Sequence, residues 1–115
     1  MLGHLRVVAG HEASYADPIQ ARAGEAVLLT GRADHWDGYR WLWARATDRR
    51  EGWVPDALVT SGGAGARLTE DYSAAELACR AGDWLTGLRR LHGWVWCRDG
   101  VGQEGWVPER CLAPT

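Results

Sequence analysis

Apolar residues along this chain recur with a period near two, not three or four. Val27 and Leu29 alternate with their neighbours just after the Gly24-Glu25 turn. Trp41-Leu42-Trp43-Ala44 opens an aromatic strand, and the polar turn around Asp48-Arg49-Arg50 leads back to Gly52-Trp53-Val54. Such alternation predicts half-buried β-strands joined by tight turns. Pro55 and Pro108 carry no backbone N–H, so each is expected to end its strand. Val54-Pro55-Asp56-Ala57-Leu58-Val59 then suits one tight helical turn before a last short strand. Residues 72–77 come nearest to a helical period, and the stretch is too short to make a helix.

A repeat search organises these elements. Glu51-Gly52-Trp53-Val54-Pro55 returns 53 residues later as Glu104-Gly105-Trp106-Val107-Pro108. At the same offset Trp41-Leu42-Trp43-Ala44 matches Trp94-Val95-Trp96-Cys97, and the second hairpin turn becomes Asp99-Gly100, a strong hairpin signal. Arg22-Ala23-Gly24-Glu25 matches Arg80-Ala81-Gly82-Asp83 at an offset of 58, so the first copy has five extra residues before its Trp-x-Trp strand. The chain is read as a tandem duplication. Thr60-Ser61-Gly62-Gly63-Ala64-Gly65 has the composition of a short flexible linker. The expected organisation is therefore a first domain over 1–59, a linker over 60–65 and a second domain over 66–115.

Composition narrows the function classes. Of 115 residues 46% are hydrophobic and 24% charged, the balance of a folded globular chain. No apolar run approaches the ~20 residues that span a bilayer, and the start lacks the pattern of a secretory signal, so a cytoplasmic protein without membrane contact is expected. A net charge of −2 argues against nucleic acid as partner. All 13 basic residues are arginine, which with the many Ala and Gly reads as high-GC codon usage. Phe is absent while Trp occurs eight times, more than a small core needs, so some indoles are expected on a binding surface. Cys79, Cys97 and Cys111 form an odd set that suits reduced thiols, with Cys79 and Cys97 as small apolar core residues. The four His and three Cys have no CxxC or HxxxH spacing, and no Gly-rich phosphate loop occurs. A Cys97–His92 nucleophile pair has no visible third member. The reading is therefore no metal, no cofactor and no catalysis.

The closing Gly-aromatic-aliphatic-Pro motif, the Trp-rich strand before it and the Gly-Glu/Asp turn together resemble the Src-homology-3 (SH3) domain in its bacterial variant form. The resemblance runs twice over, across about 5–59 and 66–112. It implies an all-β fold of two small SH3-like β-barrels in tandem, joined by the short Gly-rich linker. It also implies binding of an extended, Pro-rich peptide of a partner protein in the polyproline conformation. By that resemblance Trp41 and Trp94 pack between ligand prolines. Trp53 and Trp106 match the aromatic after the Gly, and Pro55 and Pro108 the shelf proline. Tyr72 matches the second Tyr of the opening motif, and Glu76 the acid that pairs with a ligand arginine. Pro18 holds that place in the first copy, with Asp17 beside it. The first copy departs from the pattern with Ala9 and His11 for the opening tyrosines and Leu58 for the closing Tyr; the second departs with Glu70 and Cys111.

Three further expectations bear on the surface. Trp43 and Trp96 should stack across their hairpins on the outer sheet face. Trp36, in the longer first-copy loop with Asp34, His35 and Asp37, should face solvent or a partner. Gly87 falls where the first copy has Leu29, a core position, which leaves either a bulge that turns Leu88 inward or a looser second copy. Two functions stay open at this point. Trp41/Trp53/Pro55 and Trp94/Trp106/Pro108 form peptide shelves with charge selection by Asp17 and Glu76. Alternatively the shelves are consumed in packing between domains or in a homo-oligomer, and the protein is an assembly element.

Overall fold

The structure is a computed structural model that describes residues 2–36, 38–62 and 65–114. Its strands are β1 (Gly3–Val7), β2 (Gln20–Ala21), β3 (Ala26–Trp36), β4 (Tyr39–Ala46), β5 (Glu51–Pro55) and β6 (Val59–Gly62). They continue with β7 (Gly65–Leu68), β8 (Tyr72–Ser73), β9 (Trp84–Leu91), β10 (Trp94–Arg98), β11 (Glu104–Pro108) and β12 (Leu112–Pro114). The fold is all-β, and every ladder between these strands is antiparallel. Single 3-10 turns, Asp56–Leu58 and Glu109–Cys111, follow the two strand-ending prolines, where the tight turn was expected.

Two compact units form, and their boundaries are not those of the sequence repeats. One unit is continuous, Asp17–Ala75; the other is discontinuous and combines Met1–Ala16 with Glu76–Thr115. The continuous unit holds a five-stranded sheet in the order β5-β4-β3-β7-β6 and the small β2-β8 pair. The discontinuous unit holds the order β11-β10-β9-β1-β12. Neither order closes into a barrel, since β6 and β12 at the sheet ends pair along one edge only.

The expected domains 1–59 and 66–115 are corrected by the position of the leading strands. β1 lies between β9 and β12 of the second repeat, with Leu5 opposite Leu85 and Val7 opposite Leu112. β7, the leading strand of the second repeat, lies between β3 and β6 of the first, with Ala66 opposite Val27 and Leu68 opposite Val59. Each repeat thus donates its first strand to the other's sheet. The expected linker is likewise corrected: Thr60, Ser61 and Gly62 belong to β6 and Gly65 to β7, paired as a hairpin. Gly63 and Ala64 lie outside the described residues.

Burial follows this pairing. The discontinuous unit packs Leu5 and Val7 from the donated strand with Leu77, Cys79, Leu85, Val95, Cys97, Val107 and Cys111. Cys79 and Cys97 are core residues, as their composition suggested. Desolvation pushes the Cys97 thiol up to about 11, which keeps it protonated and unreactive at neutral pH. Gly87 also finds its explanation here. A Cβ on it would stand 2.7 Å from Cδ1 of Leu5, so the glycine makes room for the donated strand. The ladder slips beside it, pairing Trp96 with Arg89 but Cys97 with Gly87, a bulge that leaves Leu88 between them.

The repeated Gly of the closing motif has a similar cause. A Cβ on Gly52 would meet Ile19 Cγ2 at 2.9 Å, and one on Gly105 would meet the backbone of Glu76 and Leu77 at 2.7 Å. Ile19 N–H donates to Glu51 O at 3.0 Å, and Leu77 N–H to Trp106 O at 3.0 Å. Both glycines therefore let a neighbouring loop close onto the hairpin.

Candidate functional site

Each unit carries three tryptophans on the hairpin of the Trp-x-Trp and Gly-Trp motifs, Trp41, Trp43 and Trp53 in one and Trp94, Trp96 and Trp106 in the other. In the continuous unit β4 and β5 align Trp41 with Pro55 and Trp43 with Trp53. Trp43 and Trp53 meet edge to face at 5.0 Å, stacking across the hairpin as expected. Trp36, at the end of β3, lies flat on Trp41 with ring centres 4.9 Å apart and 3° between planes. It also meets Trp53 edge to face at 5.5 Å. The four indoles therefore form one connected cluster. The Arg32 guanidinium adds to it, 4.8 Å from the Trp43 ring centre and 4.9 Å from that of Trp53.

This geometry corrects two expectations about exposure. Trp41 was expected to face outward and is only 4% exposed, because Trp36 covers its ring. Trp36 itself is half-buried by the same stack, and Trp53 is half-buried beside it. Pro55 is fully buried, so it supports the aromatic residues from below and forms no open shelf. Tyr39, paired with Trp36 across the hairpin, keeps 40% of its surface in solvent.

Tyr72 and Asp17 complete the continuous unit. Tyr72 is buried and donates its hydroxyl to Trp53 O at 2.9 Å. It arrives from the second repeat, on the segment that follows β7, so this aromatic site is assembled from both repeats. Asp17 is exposed, with the Arg50 guanidinium 3.5 Å from its carboxylate. Asp37 lies outside the described residues.

The discontinuous unit repeats the plan with different occupants. Trp96 and Trp106 meet edge to face at 5.1 Å, and Trp94 is paired with Pro108 across β10 and β11. Trp106 and Pro108 are buried and Trp94 is half-buried, so the expected open shelf is corrected here too. His11, carried by the donated segment, presents its ring edge to Trp94 at 5.5 Å. Glu76 was assigned to a ligand arginine, yet its carboxylate is already engaged. His11 Nε2 lies 2.8 Å from Oε1, Ser14 donates its hydroxyl to Oε1 at 3.2 Å, and Ser14 N–H donates to Oε2 at 3.3 Å. Glu76 therefore ties the donated segment to the unit that receives it.

A repeated Trp–Glu–Arg bracket was missed in the sequence, although its members share the 53-residue offset. Trp43 donates its indole N–H to Glu51 at 2.7 Å, with Arg45 Nε 3.4 Å from the other carboxylate oxygen. Trp96, Glu104 and Arg98 repeat it at 2.7 Å and 3.1 Å. The indole donor first, then the neighbouring guanidinium, hold both carboxyls below the usual 4.5. The brackets fix the rings of Trp43 and Trp96 in place.

Among the described residues no cluster of three or more His, Cys, Asp or Glu could hold a metal ion, and no helix is long and apolar enough to cross a membrane. No protein-family model, no curated protein and no solved structure matches the chain.

Proposed function

We propose that this protein is a non-catalytic interaction module of two SH3-like units, and that its continuous unit holds an extended segment of a partner protein. The observation that carries the reading is the connected indole cluster Trp36–Trp41–Trp53–Trp43, whose outer members are half-buried and flanked by exposed Tyr39. Flat aromatic faces fixed by packing suit an extended peptide, because neither side loses much conformational freedom on contact. Asp17 offers an exposed carboxylate in the same unit and suits an arginine on that peptide, adding selectivity and on-rate more than affinity. The SH3-like reading is supported by the hairpin, the Gly-Trp-Val-Pro close and the 3-10 turn that follows it in both units.

A second reading has its own observation. Trp41, Trp106, Pro55 and Pro108 are buried within their own units, which suits a structural use of the motif and an assembly role for the protein. Titration of the full chain with extended Pro-rich peptides, with and without arginine, followed by tryptophan emission, separates the two. Peptide recognition gives a saturable change that weakens with salt for the arginine peptides and is lost in Trp36→Ala while cooperative melting persists. No saturable change with any peptide would favour the assembly reading.

A further inference from the structure

The donated strands raise a question of choice, since both leading strands have the same alternating pattern and could each have stayed with its own repeat. We infer that a reciprocal match of side-chain size at two positions assigns each leading strand to the other repeat. Leu5 of β1 and Ala66 of β7 occupy equivalent places: Leu5 is paired with Leu85 and Ala66 with Val27, residues 58 apart in the repeat. The receiving sheets differ in the opposite sense one pleat further along. Gly87, paired with Cys97, occupies the place that Leu29, paired with Ala44, occupies in the other unit. The large donor residue therefore goes with the glycine, and the small donor residue with the leucine.

The distances say why the reverse assignment is poor. Even a Cβ at position 87 would stand 2.7 Å from Leu5 Cδ1 and 3.2 Å from Leu2 Cβ, both on the donated segment, so a sheet with leucine in that place rejects Leu5 in its present rotamer. Ala66 set before Gly87 would leave open the space that buried Leu5 now fills. An end-to-end arrangement would create both faults at once: Leu5 before Leu29, and Ala66 before Gly87. The exchanged arrangement removes both. This explains why the second repeat tolerates a glycine at a core position, and it makes the receiving groove selective for one donor by exclusion as well as by fit. The inference stands independently of peptide binding.

The test uses the full chain with a protease recognition sequence inserted between Gly63 and Ala64 and cleaved after folding. Because each unit contains strands of both repeats, the two fragments are expected to run together as one 1:1 species in gel filtration. The double variant Leu5→Ala/Ala66→Leu reverses the donors alone, and its cleaved fragments are expected to separate as single-repeat species. The quadruple variant Leu5→Ala/Gly87→Leu/Ala66→Leu/Leu29→Gly reverses donors and receivers together and is expected to restore the 1:1 species, an outcome that general loss of stability cannot produce. Separation of the unmutated fragments would overturn the exchange. Co-elution of the double variant, or separation of the quadruple one, would overturn the size match as its cause.

Discussion

The continuous and discontinuous units use one hairpin plan and finish it with different chemistry. Trp36 lies flat on Trp41 in the first, and the Tyr72 hydroxyl holds Trp53 from behind. In the second, His11 sits edge-on to Trp94 and is fastened by Glu76. The duplicated scaffold therefore retains its Trp–Glu–Arg brackets while its surroundings differ: Trp36 from the longer β3–β4 hairpin and Tyr72 from the segment after β7 in one unit, His11 from the segment after β1 in the other. One unit becomes an aromatic surface and the other a polar clasp on its own arm.

The strongest contrast between the units is expected at the repeated glycines. Gly105→Ala forces a Cβ onto the backbone of Glu76 and Leu77, and a cost of about 3 kcal/mol is expected in denaturant unfolding. Gly52→Ala meets Cγ2 of fully buried Ile19 at 2.9 Å and its backbone nitrogen only at 3.2 Å, so a smaller cost of about 2 kcal/mol is expected there. Equal effects would mean that the two loops approach their hairpins alike. Trp36→Ala should destabilise the continuous unit alone by about 2 kcal/mol, with Trp41 becoming open to a soluble quencher. Tyr72→Phe removes one hydrogen bond and should cost the same unit about 1 kcal/mol, leaving the Trp94 environment unchanged.

The smallest expected effect is the pH dependence of the brackets. Glu51 and Glu104 are held below 4.5 in the folded chain, so each contributes stability above that value and loses it as pH falls through the depressed one. Glu51→Gln/Glu104→Gln should therefore melt below the unmutated chain at neutral pH, and the difference should close in acid. A difference that persists at low pH would assign the effect to packing.

Much of this fold was legible because strand, turn and stop are local. The alternation around Val27 and Leu29, the prolines that end β5 and β11, and the tight turns after them follow from backbone chemistry within a few residues. The partner of a strand does not. A period of two states which residues of β1 face a core but not whose core, so the 1–59 and 66–115 boundaries and the 60–65 linker failed together. Gly87 was the readable trace, a core position without a side chain in one repeat whose counterpart in the other is Leu29. The aromatic site was half legible. The hairpin stacks of Trp43 and Trp96 follow from cross-strand pairing, whereas the cover of Trp36 over Trp41 depends on how the longer β3–β4 hairpin folds back.

Strand exchange can be read directly from which cysteines can be joined. Arg6 lies opposite Ala113 in the ladder between β1 and β12, while Arg67, its counterpart in β7, lies opposite Thr60. Arg6→Cys/Ala113→Cys should close an intramolecular disulfide on mild oxidation of the folded chain, and Arg6→Cys/Thr60→Cys should not, as peptide mass mapping would record. A bridge formed only by the Arg6–Thr60 pair would place β1 on its own repeat and contradict the exchanged fold.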